Sequence, residues 1–475
     1  MTRRPATPII RVLFVAQIVA LWGFATPPSP AQDRPPNILF IAVDDLNDWV
    51  GHLGGHRQAR TPNIDRLARR GVAFTRAYAP APLCNPSRVS LLTGVLPSNS
   101  GVYGNGEQLR EKLPDAVTLM QHLRAHGYSA KGGGKIFHGV RAGDPDSWDD
   151  YYTPPRPRSA RHIGARQEGV PDSAWAPWGP LDVDDSEMFD VQVVDWTIGE
   201  LRKSHDKPFF LACGFTKPHL PWYVPRKYFD MHPLESIELP ETLESDRDDL
   251  PAFGKKLAAE VYAVSDARNF STHGEDHAMV LKHDQWHRAV QSYLATISFA
   301  DAHVGRLLDA LDESEHAEDT IVVLWGDHGW HLGQKQHWRK HALWEVATRT
   351  TLIISSPQGT QRDVTSPRPV SLIDLYPTLV ELSGVPGRTG LDGQSLVPLL
   401  GNPQLEWSRP VLTTYGYRNH SVRTERWRYI EYHDGGKELY DHDADPNEWT
   451  NLASLPEYAS VVEELAAFLP ATNVR

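Results

Sequence analysis

Cysteine is almost missing from this sequence: two occur in 475 residues, Cys84 and Cys213. A framework of disulfides therefore does not hold the chain together. A surplus of positive charge is missing too. With 48 Lys and Arg against 60 Asp and Glu the formal net charge is −12. Nucleic acid is thereby excluded as the main partner, since a phosphate backbone calls for a basic surface. A small anionic ligand is not excluded, because a local basic pocket can sit in an acidic protein. Long apolar runs are missing beyond the N-terminal segment, so no membrane span is expected in the mature chain. Internal repeats and low-complexity tracts are missing as well.

What is present reads as a soluble globular protein. The hydrophobic share is 40% and the charged share 23%, ordinary values for such a fold. Fifteen tryptophans are read first as core packing. At the N-terminus, Arg3, Arg4 and Arg11 lead an apolar run from Val12 to Phe24. Ser29-Pro30-Ala31 then offers small residues for cleavage before Gln32. This is the pattern of a signal peptide over residues 1–31, and it implies export to a periplasmic, extracellular or lumenal compartment.

Short apolar runs alternate with amphipathic helical patterns, which predicts an α/β fold: a large, mixed, mainly parallel sheet sandwiched by helices. Ile38 to Val43, Phe209 to Cys213, Thr320 to Trp325 and Thr351 to Ile354 read as strands. Thr61-Pro62 opens a helix with Thr61 as its cap, ended by Gly71. Apolar residues recurring from Trp286 to Leu311 mark a long helix with one buried face, and Asp374 to Ser383 marks another. After about residue 400 the pattern shifts to four short strands and a closing helix from Pro456 to Leu469. A catalytic domain over residues 32–400 and a C-terminal subdomain over 401–475, a small antiparallel sheet plus helix, follow. Pro154 to Pro180 and the charged stretch from Glu241 to Asp284 read as surface insertions.

Polar residues gather just beyond the strand ends, where open α/β sheets bind ligands. Asp44-Asp45 follows the first strand, Lys217-Pro218-His219 the second, and Asp327-His328-Gly329 the third. Adjacent carboxylates repel unless a cation joins them. Asp44, Asp45 and Asp327 suit a hard divalent ion such as Ca²⁺ or Mg²⁺; a helix cap or solvated turn is the plainer alternative for Asp44-Asp45 alone. Cys84-Asn85-Pro86-Ser87-Arg88 runs into a helix that Gly94 would end. Cys84 then sits at a helix N-terminus, which favours an anion, and Arg88 lies one turn on. By composition alone this is an anion pocket with a reactive residue at its mouth, or simply a helix start. Cys213, within an apolar run, reads as a buried small residue, with a Cys84–Cys213 disulfide as the alternative.

Cys84-Asn85-Pro86-Ser87-Arg88 followed by Thr93-Gly94 resembles the signature of type I, formylglycine-dependent sulfatases of the alkaline phosphatase superfamily. The resemblance spans nearly the whole mature chain and is nearest to iduronate-2-sulfatase-like members. It extends through Val43-Asp44-Asp45-Leu46, Gly134-Lys135-Ile136-Phe137-His138, Lys217-Pro218-His219-Leu220-Pro221, Asp327-His328-Gly329-Trp330 and Glu438-Leu439-Tyr440-Asp441. The resemblance implies oxidation of Cys84 to formylglycine by a formylglycine-generating or sulfatase-maturing enzyme. It implies that Asp44, Asp45, Asp327 and His328 hold one Ca²⁺ together with residue 84. Arg88, helped by Lys135, would brace the formylglycine hydrate, and His138 would help the sulfated intermediate collapse. His219 and Lys340 would hold the sulfate and protonate the leaving oxygen, and Asp327 would take the attacking hydroxyl's proton.

The expected activity is hydrolysis of sulfate monoesters, with a sulfated carbohydrate as substrate. Lys135, His138, Lys217, His219 and the cluster from Lys335 to His341 would give that pocket its positive charge. Two alternatives remain at this level. One is a phosphomonoesterase, phosphodiesterase or phosphonate hydrolase of the same superfamily, where Ser or Thr usually stands in place of Cys84. The other is a non-catalytic carbohydrate-binding relative.

Overall fold

In the strand Asn37–Val43 (β1), successive side chains point to opposite faces and all are buried. Leu39, Ile41 and Val43 enter one apolar core, while Ile38, Phe40 and Ala42 enter another. Burial on both faces is what a helix-covered sheet demands of its central strands. The computed structural model, which describes residues 1–2, 34–155, 168–169, 177–259, 275–357 and 360–475, has this architecture. Residues 3–31 of the expected signal peptide lie outside the described residues.

The sheet has eight strands. They are β1, Val72–Phe74 (β2), Ser129–Gly134 (β3), Asp150–Tyr152 (β4), Phe209–Phe215 (β5), Thr320–Gly326 (β6), Leu352–Ser355 (β7) and Val364–Ser366 (β8). Their spatial order is β8-β2-β7-β6-β1-β5-β3-β4. From β6 across to β4 all pairing is parallel. β7 runs antiparallel to both β6 and β2, which makes the sheet mixed and mainly parallel, as expected. Six helices cover it: Pro62–Arg70 (α1), Cys84–Thr93 (α2), Leu119–Ala125 (α3), Phe189–Leu201 (α4), Trp286–Asp312 (α5) and Leu375–Leu382 (α6). α1, α4 and α5 pack on the Leu39 face, and α2, α3 and α6 on the Phe40 face. Trp178, Trp222, Trp325, Trp330, Trp338 and Trp344 are fully buried, in keeping with tryptophan as core. No helix among the described residues is long and apolar enough to cross a membrane.

The C-terminal strands Val411–Thr414 (β9), His420–Arg423 (β10), Trp427–Glu431 (β11) and Lys437–Asp441 (β12) form an antiparallel meander. Val422, Tyr429 and Leu439 on one face pack with Leu465 of the helix Ala459–Ala466 (α7). Ile430, Tyr432 and Tyr440 on the other pack on Leu343, Trp344, Leu250 and Leu257.

Several expectations need correction. Thr61 makes no side-chain cap to α1; its hydroxyl accepts from Gly51 N at 2.8 Å. The free N–H groups of α1 are met instead by Asp301 of α5, whose carboxylate accepts from Asn63 N and Ile64 N. Cys84 and Cys213 are both free, so no disulfide joins them. The supposed surface insertions are partly core. Within the first, residues 156–167 and 170–176 lie outside the described residues, but Pro177–Leu181 is a strand paired with Trp222–Pro225 around the buried Trp178. Within the second, residues 260–274 lie outside them, and Asp246 and Asp276 are buried in ion pairs.

Candidate active site

The carboxyl ends of β1, β3, β5 and β6 lie side by side in the parallel part of the sheet, so whatever follows them meets at one edge. β1 delivers Asp44 and Asp45, and β6 delivers Asp327 and His328. Gly134 ends β3 with φ 80°, and a Cβ there would lie 1.9 Å from Gly214 O. Only glycine permits that close approach, which hands Lys135 to the site with its N–H bonded to Gly214 O. α2 starts at Cys84 and is buried throughout. It stops at the left-handed Gly94, as the sequence predicts.

Arg88 ties these segments together. Its Nε donates to Asp327 Oδ2 at 2.9 Å, one Nη to Asp44 Oδ1 at 3.0 Å, and the other to the carbonyls of Lys135 and Ile136. Its plane also lies over Trp325, 5.3 Å from the ring centroid. Ser87 Oγ donates to Asp327 O at 2.6 Å. Lys135 Nζ pairs with Asp44 and stands 3.7 Å from Cys84 Sγ. Lys340 Nζ donates to Asp45 Oδ1 at 2.6 Å and lies 3.1 Å from the same sulfur. His328 Nε2 is 3.4 Å from Cys84 Sγ and 3.4 Å from Asp45 Oδ1, while its Nδ1 faces Gly329 O.

Charge and burial set the protonation states. Burial pushes the Cys84 thiol up to about 12, against the pull of Lys135 and Lys340, so the unmodified residue is a thiol at neutral pH. Asp327 pays for burial too. Arg88, His328, Lys135 and Lys340 overcome that cost and hold it well below the usual carboxylate range, hence ionised. Burial raises Asp45, which Lys340 only partly offsets. Asp45 Oδ2 is buried and has no hydrogen-bond partner. Asp45 also has φ 60°, a left-handed backbone that costs about 1–3 kcal/mol for a residue with a side chain.

His219 and His138 stand further out. His219 Nε2 is 4.0 Å from Asp45 Oδ2, and its side chain keeps 37% of its exposure. Desolvation, then Lys135, holds it well below the ordinary histidine value. His138 is exposed at the rim; protein crowded around it, then Lys135, pushes it down to about 4. The structure thus brings Cys84, Arg88, Lys135, Lys340, Asp44, Asp45, Asp327 and His328 into one cluster, with His219 at its edge. Trp330 is buried beneath it, with Lys340 Nζ 5.2 Å from its ring centroid.

The cluster from Lys335 to His341 does not enter the site as a group. Lys335 pairs with Asp246 at 2.7 Å, the two being 3% and 2% exposed, and Arg339 pairs with Asp276 at 2.7 Å. Lys217 is buried as well, its Nζ donating to the carbonyls of His219 and Pro221, and so braces the loop that carries His219. The pocket's positive charge therefore comes from Lys135, Lys340 and Arg88. Lys335→Met is expected to lower stability by about 3–5 kcal/mol, because Asp246 stays buried without its partner. KM for a sulfate ester should stay within about twofold. Urea unfolding beside steady-state kinetics checks both.

Sequence reasoning missed Tyr293, whose hydroxyl reaches from α5 to the carbonyl of Asp45 at 2.6 Å. It also missed Asp190, which accepts from the backbone N–H groups of Thr216 and Lys217. Helical periodicity marks Tyr293 as core; nothing in the sequence shows that its hydroxyl ends at a strand terminus.

A family model described as "Sulfatase" matches residues 36–385, and one described as "N-sulphoglucosamine sulphohydrolase, C-terminal" matches residues 326–474. A protein named "Sulfatase" from Formosa agariphila is 38% identical over 468 residues, covering 92% of this chain and 87% of its own. The chain belongs to the sulfatase family. It is a sulfuric ester hydrolase. Iduronate 2-sulfatase of Homo sapiens is 33% identical over 383 residues, covering 76% of this chain and 67% of its own. A phosphonate monoester hydrolase structure from Agrobacterium radiobacter superimposes with a TM-score of 0.75 over 91% of this chain and 94% of its own. At 23% identity that likeness shows the fold and not the reaction.

Sulfatases of this family generally use a formylglycine and a divalent metal. The donor atoms of Asp45, Cys84, Asp327 and His328 all lie within 4.8 Å of one another, as do those of Asp44, Asp45, Cys84 and His219. Three buried carboxylates and an unpartnered Asp45 Oδ2 fit a hard cation. Sγ of Cys84 marks where an oxygen would sit if residue 84 were modified.

Proposed function

We propose that this sulfatase hydrolyses sulfate monoesters of saccharides, with Cys84 converted to formylglycine and one Ca²⁺ held by Asp44, Asp45, Asp327, His328 and residue 84. The observation that carries the reading is the convergence of the buried Cys84 with donor atoms of Asp45, Asp327 and His328 within 4.8 Å of one another, beside an Asp45 Oδ2 that has no hydrogen-bond partner. A thiol raised to about 12 is a poor nucleophile at neutral pH. A hydrated aldehyde at that position is a good one. Bound Ca²⁺ would supply Lewis-acid neutralisation of the sulfate oxygens.

The chain's own residues do the rest. One hydroxyl of the hydrate attacks sulfur, and its proton passes to the ionised Asp327. Lys340 and His219 hold the sulfate and give a proton to the leaving alcohol. The second hydroxyl then loses its proton with help from His138, and the C–O bond to sulfate breaks as the aldehyde re-forms. Arg88 and Lys135 fix the hydrate and offset the charge that builds on its oxygens. A serine at this position would leave a stable sulfate ester to be attacked by water; the second hydroxyl avoids that step.

Iduronate 2-sulfatase among the relatives supports a sulfated saccharide, and an anionic uronic acid suits fixed cations at the cleft. Export through the N-terminal segment and maturation by a formylglycine-generating enzyme belong to the same proposal. Catalytic efficiency on 2-O-sulfated uronic acid saccharides is expected to exceed that on neutral-sugar sulfates and aryl sulfates by about tenfold or more. A wide margin for aryl sulfates or choline sulfate would overturn the saccharide reading and leave the sulfatase assignment standing.

A further inference from the structure

We infer that Tyr293 is a positioning residue for the metal centre, acting by holding Asp45 in its left-handed conformation. The inference rests on the metal reading above. Asp45 turns its carboxylate into the site from a backbone with φ 60°, which an ordinary strand end would not adopt. Its N–H donates to Asp327 Oδ1 at 2.9 Å, and its carbonyl accepts from Tyr293 Oη at 2.6 Å. The same hydroxyl accepts from Asn47 N at 3.1 Å. A single phenol therefore clamps both sides of the turn that follows β1.

The clamp is rigid because its base is. Tyr293 is buried on α5 and meets Trp49 and Trp222 edge-on at 5.5 Å each. Both hydrogen bonds of its hydroxyl go to main-chain atoms, Asp45 O and Asn47 N. Its effect on chemistry must therefore pass through the backbone of Asp45. Partners that orient a ligand from behind typically change metal affinity by about 10–100-fold when removed.

The test is calorimetric titration of metal-free protein with Ca²⁺ alone. Tyr293→Phe keeps the ring and removes only the hydroxyl, and is expected to weaken Ca²⁺ binding by about 10–100-fold. Saturating Ca²⁺ should restore most of kcat. Tyr376→Phe is the control, since its hydroxyl also donates to main-chain carbonyls, of Val117 and Thr118, on the opposite face of the sheet. It should lose comparable stability and no Ca²⁺ affinity. Equal Ca²⁺ affinity for Tyr293→Phe and the unaltered protein would overturn the inference alone. No Ca²⁺ binding by the unaltered protein would overturn the metal reading and this inference with it. A measurement independent of the variant is amide exchange at Asn47, expected to slow by about tenfold or more when Ca²⁺ is bound. Unchanged exchange there would count against the clamp.

Discussion

Replacing Cys84 with alanine is expected to reduce kcat/KM for any sulfate ester by about 10⁴-fold or more, with the fold intact. The size of the loss follows from the position. Cys84 is the first residue of α2, fully buried, and its sulfur lies among Lys135, Lys340 and His328. The nearby hydroxyl of Ser87 on the same helix is no substitute, because its Oγ is committed to Asp327 O. The fold should tolerate the change, since alanine is a good helix former and the helix start rests on backbone bonds such as Ser87 N to Leu83 O. Cys84→Ser separates nucleophilicity from turnover. It offers an oxygen but only one hydroxyl, so at most about one alcohol per site should be released before the enzyme stalls, with the sulfate left as an ester on the serine. Rapid-quench kinetics would show the burst.

Asp45→Asn should lose at least about 10³-fold in kcat/KM and about 100-fold or more in Ca²⁺ affinity. The substitution isolates charge from shape. Asparagine tolerates left-handed backbone as aspartate does, so the clamp between Asp327 and Tyr293 should survive. What goes is the negative charge that Lys340 and His328 face and that a cation would share. Dialysis against a chelator should take the unaltered enzyme to the same low activity, with Ca²⁺ restoring it. Elemental analysis of an active, metal-free preparation would contradict this account of Asp45.

The parts of this protein that could be read from sequence are those whose signal is local. β1, β5 and β6 announce themselves by unbroken apolar runs, and the residues after them had to meet at one sheet edge once parallel pairing was assumed. Cys84, Pro86, Arg88 and Gly94 state a helix start, its anion-facing terminus and its end within a few residues. Partners distant in sequence were out of reach. Asp301 caps α1 from 237 residues away, and Tyr293 reaches the carbonyl of Asp45 across 248. Lys335 and Arg339 illustrate the same limit. Composition places them beside Lys340 in a basic loop, but Asp246 and Asp276 bury them as ion pairs. Positive φ at Lys335, Arg339 and His341 lets neighbours in that loop face different ways, so Lys340 alone meets Cys84.

The central claim is that turnover belongs to a modified residue 84, and peptide mass spectrometry of fractions of graded specific activity tests it most directly. Specific activity should rise in proportion to the share of chains carrying formylglycine at position 84, and should extrapolate to zero where only cysteine is found. Full turnover from a preparation in which residue 84 is wholly unmodified cysteine would contradict the account.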